Sequence, residues 1–295
     1  MIIKLSRADF SANNIGKYEF PKELSKFTLD AIAASGKVMT DEQKYAMEYF
    51  FTSIGAIDNN GIWAKLDKVY IPFIGADVTK GLVNYKDNNL DNTLNADNLT
   101  LVNGGVKVKG SSNLTSSDSN NVVDNYVWNW DSKSVFVLNT EPLVLDGSIR
   151  SIYQLTAAYT NNVSNNWQGF KIRNTANNVI DFGIDQKNTI LIGDNNSYIE
   201  NSKIVARPQL IGASSNGSNV ICMLGNGITK TFEVVNPYQA DTNPHTLYPF
   251  ATSINGTITA TMKACGALIL GDYLTEEEMK SLQIDVETLY SKFVN

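Results

Sequence analysis

Cysteine and histidine are scarce in this 295-residue chain, which has two cysteines and one histidine. Two cysteines cannot make a disulfide-dependent scaffold, and no cysteine–histidine spacing typical of a zinc site is present. Cys222 and Cys265 each lie within an apolar run. We therefore expect two reduced cysteines in the core. A disulfide between them is the alternative that the sequence leaves open.

Positive charge and long apolar runs are also lacking. The formal net charge is -6 and the isoelectric point is about 4.9. This excludes nucleic acid and anionic membrane surfaces as main partners, because both are bound through basic residues. No stretch reaches the ~18 apolar residues of a membrane helix, and no signal-peptide run follows the N-terminus. We expect a chain without membrane insertion that is made in the cytoplasm.

Paired acidic residues of the kind that cleave glycosidic bonds are missing as well. That chemistry needs two carboxyl groups a few ångströms apart, which alternate positions of one strand would provide. Glu141, Glu200 and Glu233 are each isolated, and His245 lies in a polar segment that predicts a loop. The sequence therefore predicts no enzyme and no cofactor.

Asparagine, by contrast, is abundant, with 35 residues concentrated between positions 84 and 226. Asparagine favours turns because it tolerates left-handed backbone and bonds to its own chain. From Leu99 onward, apolar runs are separated by Gly, Asn, Asp and Ser at the spacing of antiparallel strands. This pattern predicts a mainly β fold, an antiparallel β-sandwich, with strands near 106–109, 123–128, 134–139, 150–159, 167–173, 178–184, 188–193, 199–206, 208–213, 218–224, 227–235, 257–263 and 265–270.

The first 98 residues follow a different pattern. Residues 1–20 lack a helical period and predict an extended N-terminal arm. Apolar residues then recur at helical spacing, and helices are predicted from Pro21 to Gly36, after the capping box of Thr40 and Gln43, around Ile62 to Leu66, and from Asp77 to Val83. We therefore predict three parts: an anchoring arm, a small helical unit with a polar linker at 21–98, and a sandwich at 99–295.

The last element of the sandwich region is predicted to be a helix. Thr275 and Glu278 form a second capping box. The apolar residues that follow repeat on one helical face, and they are Met279, Leu282, Val286, Leu289 and Phe293. Because this apolar face needs a partner, we expect the helix to close the sandwich.

Several short motifs, in this order along the chain, resemble a group of bacteriophage virion proteins. The N-terminal residues 8–16 are similar to the N-termini of structural proteins in phages of gut Bacteroidales. The remaining motifs, called the family motifs below, are Gln43, Gly61-Ile62-Trp63-Ala64-Lys65, Tyr70-Ile71-Pro72-Phe73-Ile74-Gly75, Asn84-Tyr85-Lys86-Asp87 and the step from Leu268 through Gly271 and Thr275 to Glu278. Ile71 interrupts the Tyr-Pro-Phe order of that group.

The resemblance implies both a fold and a role. The implied fold of the sandwich is a concanavalin A-like (laminin-G-like) jelly roll. The implied role is that of a structural virion component, a head or tail fibre or appendage, that displays a lectin-like domain for attachment to the host surface. A homotrimer is favoured, with other virion proteins and a host-surface glycan as partners. Two alternatives stay open: a glycan-acting enzyme of the same fold, and an architectural capsid decoration protein without a ligand.

Tryptophan residues give the sequence its candidate sugar-binding site. Trp128-Asn129-Trp130-Asp131 places two indoles on one face of a strand. Indole rings stack on sugar rings, and the Asn and Asp side chains can bind hydroxyl groups. Trp167 follows an Asn-rich loop and is predicted to flank this site. The alternative is that Trp128 and Trp130 fill the sandwich core, where large aromatic residues are usual.

The N-terminal arm is the second candidate functional segment. Its apolar residues are Ile2, Ile3, Leu5 and Phe10. An extended apolar segment beside a complete domain can dock into a larger assembly by strand addition, so we predict that this arm anchors the chain. The alternative is an arm that packs on its own domain.

A partial calcium motif lies in the linker. Asp87, Asn89 and Asp91 have the spacing of the first three ligands of a calcium loop. The sixth position is Asn92 rather than Gly, and the twelfth is Asn98 rather than Glu. Because the match is partial, the sequence predicts no bound metal.

Overall fold

A computed structural model describes the backbone of residues 23–87, 90, 99–102, 104–108, 113–115, 123–126, 132–140, 150–159, 167–174, 180–186, 189–192, 198–199, 209–224, 227–233, 245–248, 251–254, 257–260 and 264–294. Side chains are described for residues 23–87 and for the strands and helix that pack against them. The predicted arm at 1–20 lies outside these residues.

Five α-helices and one short 3-10 helix occur in the described chain. They are α1 (Lys26–Ser35), α2 (Asp41–Ser53), α3 (Gly61–Ala64), the 3-10 helix Pro72–Ile74, α4 (Val78–Gly81) and α5 (Glu276–Ser291). No helix among the described residues is long and apolar enough to span a membrane.

Strands make up most of the remaining described chain. They are β1 (Leu66–Tyr70), β2 (Leu99–Val102), β3 (Gly105–Val108), β4 (Asn113–Thr115), β5 (Val123–Tyr126), β6 (Lys133–Asn139), β7 (Arg150–Tyr159), β8 (Trp167–Asn174), β9 (Ile180–Gln186), β10 (Thr189–Ile192), β11 (Tyr198–Ile199), β12 (Gln209–Ser215), β13 (Asn219–Leu224), β14 (Ile228–Glu233), β15 (His245–Tyr248), β16 (Ala251–Ile254), β17 (Thr257–Ala260) and β18 (Cys265–Asp272).

These strands pair antiparallel in three sheets. The largest sheet has the order β14-β13-β12-β6-β18-β3-β2, and β1 also pairs with β18. The second has the order β10-β9-β8-β7-β15-β5, with β11 beside β9, and the third has the order β16-β17-β4. The prediction of a mainly β, antiparallel fold with helices toward the chain ends is confirmed.

Both predicted capping boxes are present, and they set where two helices begin. The Thr40 side chain accepts from the Gln43 N–H while Gln43 accepts from the Thr40 N–H, and Thr275 and Glu278 repeat the arrangement. Each box satisfies backbone donors that the first helical turn leaves unpaired. The first helix differs from its prediction, which began it at Pro21: it begins at Lys26, after Ser25, whose side chain caps the helix by accepting from the Thr28 N–H.

The prediction of a wholly helical segment was wrong for residues 66–70. This stretch, predicted in part as helix around Leu66, forms strand β1 and pairs antiparallel with β18, with Leu66 opposite Gly271 and Tyr70 opposite Leu268. The Asp272 N–H also donates to the Lys65 carbonyl at 2.7 Å. Pairing with a distant strand outweighs the weak local helical period. The contact of β1 and its flanking residues with β18 and the start of α5 is called the joint below.

His245 also departs from its prediction. Instead of lying in a loop, it begins β15, opposite Tyr126 on one side and Tyr159 on the other. Strand β16 was likewise not predicted, because its residues are mostly small and polar and carry a weak alternation signal.

One hydrophobic cluster unites the helical part and the largest sheet. Phe51 and Trp63 come from the helical part, Phe136 and Ile269 from the sheet, and Leu282 from α5. All five side chains are at most 4% exposed. The segments predicted as a helical unit and a sandwich therefore share a core, and the boundary between them at residue 98 stays a prediction.

Both cysteines are buried in this sheet and neither belongs to a disulfide. Burial raises the pKa of the Cys265 thiol, while a backbone hydrogen bond from Ala267 opposes the rise. The thiol therefore stays protonated and unreactive at neutral pH.

Helix α5 is fixed on the sheet by hydrogen bonds as well as by its apolar face. The buried Gln283 accepts from the Gly227 N–H at 2.7 Å and donates to the Leu210 carbonyl at 3.2 Å. Glu287 accepts from the Leu210 N–H at 2.9 Å. These bonds satisfy backbone groups of β12 and of Gly227, just before β14, so polar contacts at the buried side of α5 help to set its orientation.

Lys133 connects three strands at the joint. Its ammonium lies 2.8 Å from Asp67 on β1 and 2.7 Å from Asp272 on β18, and Lys133 itself begins β6. Burial alone would lower the pKa of Lys133, but hydrogen bonds to Asp272 and Asp67 outweigh it, so the pKa lies above its ordinary value. A raised pKa means that folding favours the charged ammonium.

Replacing Gly271 tests the closeness of β1 to β18. A Cβ at Gly271 would lie 2.5 Å from the Lys65 carbonyl oxygen and 2.8 Å from the Leu66 Cα. We expect Gly271→Ala to lower the free energy of unfolding by about 3 kcal/mol, because the backbone atoms that the new Cβ would meet cannot move aside. In the control Gly36→Ala the new Cβ meets side-chain atoms at 3.4 Å or more, and we expect a loss of about 1 kcal/mol from left-handed backbone alone. If urea denaturation gave the two variants equal losses in free energy of unfolding, the close approach of β1 to Gly271 would be contradicted.

Alkaline titration tests the Lys133 bridge. The pKa of Lys133 is raised in the folded protein. The bridge therefore contributes its full stabilisation below the ordinary pKa of lysine, and this stabilisation is lost as the pH rises through the higher folded-state pKa. We expect the wild type to lose thermal stability above roughly pH 10, and Lys133→Met to have a lower melting temperature at pH 8 with a weaker alkaline decline. Lys68→Met, on β1 next to Asp67, is the matched control. If the melting temperature of Lys133→Met fell at alkaline pH as much as that of the wild type, the bridge would not be the source of that fall.

Candidate functional site

The described residues enclose a pocket of about 360 Å³ in the helical part of the chain. Phe27 of α1, Trp63 of α3 and Leu90 supply its apolar lining. An antiparallel bridge between Tyr70 and Asn84 holds the chain after α4 beside β1 and brings Tyr85, Lys86 and Asp87 to the pocket. We call this feature the Trp63 pocket.

Aromatic packing gives the pocket a rigid wall. The Phe27 ring meets Trp63 edge to face, with centroids 5.4 Å apart, and meets Phe51 in the same way at 4.9 Å. Edge-to-face contacts of this kind orient rings beyond what burial alone requires. Trp63 is 4% exposed and belongs to the core, whereas Phe27 is only partly buried.

Tyr85 lines the same pocket and holds an unsatisfied polar group. Its side chain is 1% exposed, and its hydroxyl has no hydrogen-bond partner among the described residues. Burial raises the pKa of this hydroxyl, so it stays protonated at neutral pH. Buried hydroxyl groups without a partner are uncommon because the lost bond to water is not replaced.

Lys86 covers one face of Trp63. Its ammonium lies 4.7 Å from the indole centroid and donates to the Trp63 carbonyl at 2.7 Å. Partial burial lowers the pKa of Lys86, and the nearby Asp67 carboxylate opposes this. The ammonium is therefore directed toward Trp63, and the cation–π contact stabilises the position of the indole.

Polar side chains from three segments surround the apolar wall. Asp30 comes from α1, Asn59 from the turn before α3, and Asp87 from the segment after β1. Asp30 also pairs with Lys26 one turn earlier on α1. Carboxylate and amide oxygens accept hydrogen bonds, so the pocket combines an apolar wall with several acceptors.

The predicted sugar-binding residues cannot be compared with this pocket through their side chains. Trp128, Asn129, Trp130 and Asp131 lie outside the described residues. Trp167 begins β8 opposite Ala158, and only its backbone is described. The predicted site therefore stays a prediction.

The other candidate sites lie mostly outside the described chain. The arm residues Ile2, Ile3, Leu5 and Phe10 all do. Of the partial calcium motif, only Asp87 is described, while Asn89 and Asp91 are not. Across the described ranges, no group of three or more His, Cys, Asp or Glu side chains could hold a metal ion.

Sequence reasoning missed the Trp63 pocket because its lining comes from separate segments. Trp63 and Tyr85 were both noted as parts of the family motifs, but nothing in their spacing places them beside Phe27. The Gly-x-Trp-x-Lys and Asn-x-Lys-Asp motifs were the available signal, since each contributes a pocket residue.

Comparison with known proteins shows likeness of fold alone. No family model and no curated protein sequence matches this chain. Similar solved structures include a Ruminococcus gnavus IT-sialidase CBM40 bound to α2,6-sialyllactose (9% identity, 61% of this chain and 96% of that chain, TM-score 0.36) and domain 4 of a Geobacillus stearothermophilus arabinanase in complex with arabinotriose (12%, 74% and 98%, 0.43).

A third similar structure is tailspike protein 2 of an Escherichia coli O157:H7 bacteriophage, at 11% identity and a TM-score of 0.37. The alignment covers 67% of this chain but only 28% of the tailspike. Identities and TM-scores this low do not establish a shared function for any of the three.

Proposed function

We propose that this chain is a structural component of a bacteriophage particle, a fibre or appendage of the head or tail, that binds glycans on the host surface. The observation that supports the proposal is that the family motifs contact the joint or helix α5. These motifs share only their order along the sequence, and in the folded chain several of them contact one another.

The contacts between the motifs are direct. In the Gly-x-Trp-x-Lys motif, Lys65 places its ammonium 2.7 and 2.8 Å from the two carboxylate oxygens of Glu278, which belongs to the closing motif. Hydrogen bonds to Lys65 and Thr275 outweigh partial burial and lower the pKa of Glu278. This ion pair therefore connects the helical part to the first turn of α5.

The remaining motifs contact β1 or the C-terminal end of α5. Asn84 accepts from the Val69 N–H at 3.0 Å, which holds residues 84–87 against β1. Phe73 meets Tyr290 of α5 edge to face at 5.1 Å. Gln43, besides its capping role, donates to the Lys292 carbonyl at 3.1 Å, just beyond the end of α5.

Motifs that meet at an internal contact serve to hold parts of a protein together. Shared residues of an enzyme family would instead be expected to converge on a cleft with titratable groups. We therefore infer that the family motifs are shared because they form a rigid connection between the N-terminal part and the β-sheets. A rigid connection suits a domain that is displayed from a larger particle.

The finer parts of the proposal follow from the resemblance. Residues 1–20 would attach the chain to other virion proteins, the chain would form a homotrimer, and the β-sheets would face the host. The proposal includes no catalytic role. A glycan-acting enzyme and a decoration protein without a ligand are the alternatives, and cleavage of host polysaccharide by the purified protein would favour the first of them.

Glycan binding can be tested at the predicted tryptophan site. We expect the double variant Trp128→Ala, Trp130→Ala to bind a glycan array and host cells at least about tenfold more weakly, because large aromatic anchors dominate binding. Phe232→Ala, which removes an aromatic ring from the edge strand β14, is the matched control. If the folded double variant binds as the wild type does, this site is wrong, and if the wild type binds no glycan, the glycan-binding function is wrong.

Anchoring can be tested by deletion. We expect a chain without residues 2–20 to keep the wild-type melting temperature, because the capped helices and the joint begin after them, but to be absent from purified particles. A chain with residues 2–20 in scrambled order keeps the same length and composition and serves as the control. Normal incorporation of the deleted chain would contradict the anchoring role.

A further inference from the structure

We infer that residues 2–7 of one copy of this chain add as a strand to the outer edge of β14 in a second copy. This inference rests on the proposed homotrimer and names the contact that would hold its subunits together. Three features support it: the regular edge of β14, the exposure of its side chains, and a matching alternation in residues 2–7.

The outer edge of β14 is regular along its whole length. Among the described strands, β14 ends the largest sheet and pairs only with β13. That pairing runs without a bulge from Ile228 opposite Leu224 to Glu233 opposite Asn219. The outer side of β14 therefore presents a row of backbone N–H and C=O groups with the spacing that another strand needs.

Few of the features that usually protect an open edge are found in β14. Natural edge strands are commonly short, bulged, interrupted by proline or guarded by lysine. β14 has six residues and no proline. Its one lysine, Lys230, holds its ammonium 5.0 Å from the centroid of the Phe232 ring, two residues further along the same strand. This lysine therefore lies along the strand, and the edge is accessible to an incoming segment.

The two faces of β14 differ in polarity. Ile228 and Phe232 lie on one face and are only partly buried, so both keep apolar surface in contact with solvent. The other face carries Glu233 and Thr229, and the Thr229 hydroxyl donates at 2.7 Å to Glu276 in the first turn of α5. An added strand would therefore meet an apolar row on one face and a polar, acidic row on the other.

Residues 2–7 carry the matching pattern. Ile3 and Leu5 alternate with Lys4 and Ser6, and successive residues of a strand lie on opposite faces. The two apolar residues would cover the apolar row of β14, and Lys4 would lie beside the acidic side chains of the other face. Burial of apolar surface and opposite charges across a strand pair both stabilise a sheet.

The N-terminal arm is long enough to reach a neighbouring subunit. Residues 8–22 lie between the proposed strand and Glu23, where the described chain begins. When extended they span roughly 50 Å, about the diameter of a folded chain of this length. If each copy gives its segment to the next, this head-to-tail contact closes a ring. Residues 8–16, which carry the resemblance to phage N-termini, then remain available for other virion proteins.

Disulfide crosslinking between two chains of different length tests the contact. The shorter chain carries Lys4→Cys, and the longer, tagged chain carries Thr229→Cys, Thr231→Cys or Glu233→Cys in separate preparations. We expect oxidation to join the chains at one of these three positions, because directly opposed side chains of paired strands have Cβ atoms about 5 Å apart. The native cysteines are buried and do not compete. Thr100→Cys on β2, at the other end of the sheet, is the matched control.

A chain that carries both cysteines separates a second copy from the chain's own arm. We expect its disulfide to join different chains. A disulfide within one chain would overturn the inference, and so would the absence of a crosslink at all three β14 positions. Equal crosslinking of Thr100→Cys would contradict the choice of β14.

Sedimentation equilibrium on the full chain supplies the second readout. We expect the wild type to be a trimer and a chain without residues 2–7 to be a monomer. Lys4→Glu should dissociate about fivefold more readily, because it places like charges across the strand pair. Lys17→Glu, in the arm but outside residues 2–7, is the matched control. Each subunit should stay folded, because the added strand lies at the edge of the sheet.

The oligomeric states separate this inference from the proposed function. If the chain without residues 2–7 remains a trimer, the inference is wrong and the proposed homotrimer stands. If the wild type is a monomer at every concentration, the homotrimer and this inference both fall. Glycan binding is then still decided by the variant at Trp128 and Trp130.

Discussion

The antiparallel pairing of β1 with β18 is the constraint on which the rest of this structure depends. Strand β1 brings the helical part to the largest sheet and lies close enough that Gly271 has no room for a side chain. Around this pairing the chain places its strongest polar contacts, including the Lys133 bridge and the pair of Lys65 with Glu278. Exposed ion pairs contribute little alone, but here they fix the register of strands that backbone bonds already hold.

The position of β1 also shapes the helical part beside it. Residues 84–87 are held beside β1 by Asn84, and Lys86 donates to the Trp63 carbonyl. These bonds lie within the N-terminal part, next to the strand that pairs with β18, and they form one side of the Trp63 pocket. This side of the pocket is therefore held in place, because moving it would disturb β1.

Local signals in the sequence were sufficient for much of the fold. The capping boxes at Thr40 and Thr275 were predicted correctly because their bonds join residues three positions apart, and most strands follow from alternation and turn residues. Strand β1 could not be predicted this way, since Leu66 to Tyr70 becomes a strand only through β18. The Trp63 pocket was beyond reach for the same reason: Phe27, Asn59 and Tyr85 meet only in the folded chain.

The distance along the chain between β1 and its partner has a consequence for biosynthesis. Leu66 and Gly271 are roughly 200 residues apart, so this pairing has a high contact order. While the ribosome is still making the sheets, α1 to α3 have already emerged, yet the strand that completes their core does not exist. The nascent N-terminal part must persist with an open strand edge, the kind of surface that invites aggregation. The joint therefore forms only after β18 has been synthesised, and chaperone protection until then would raise the yield of folded protein.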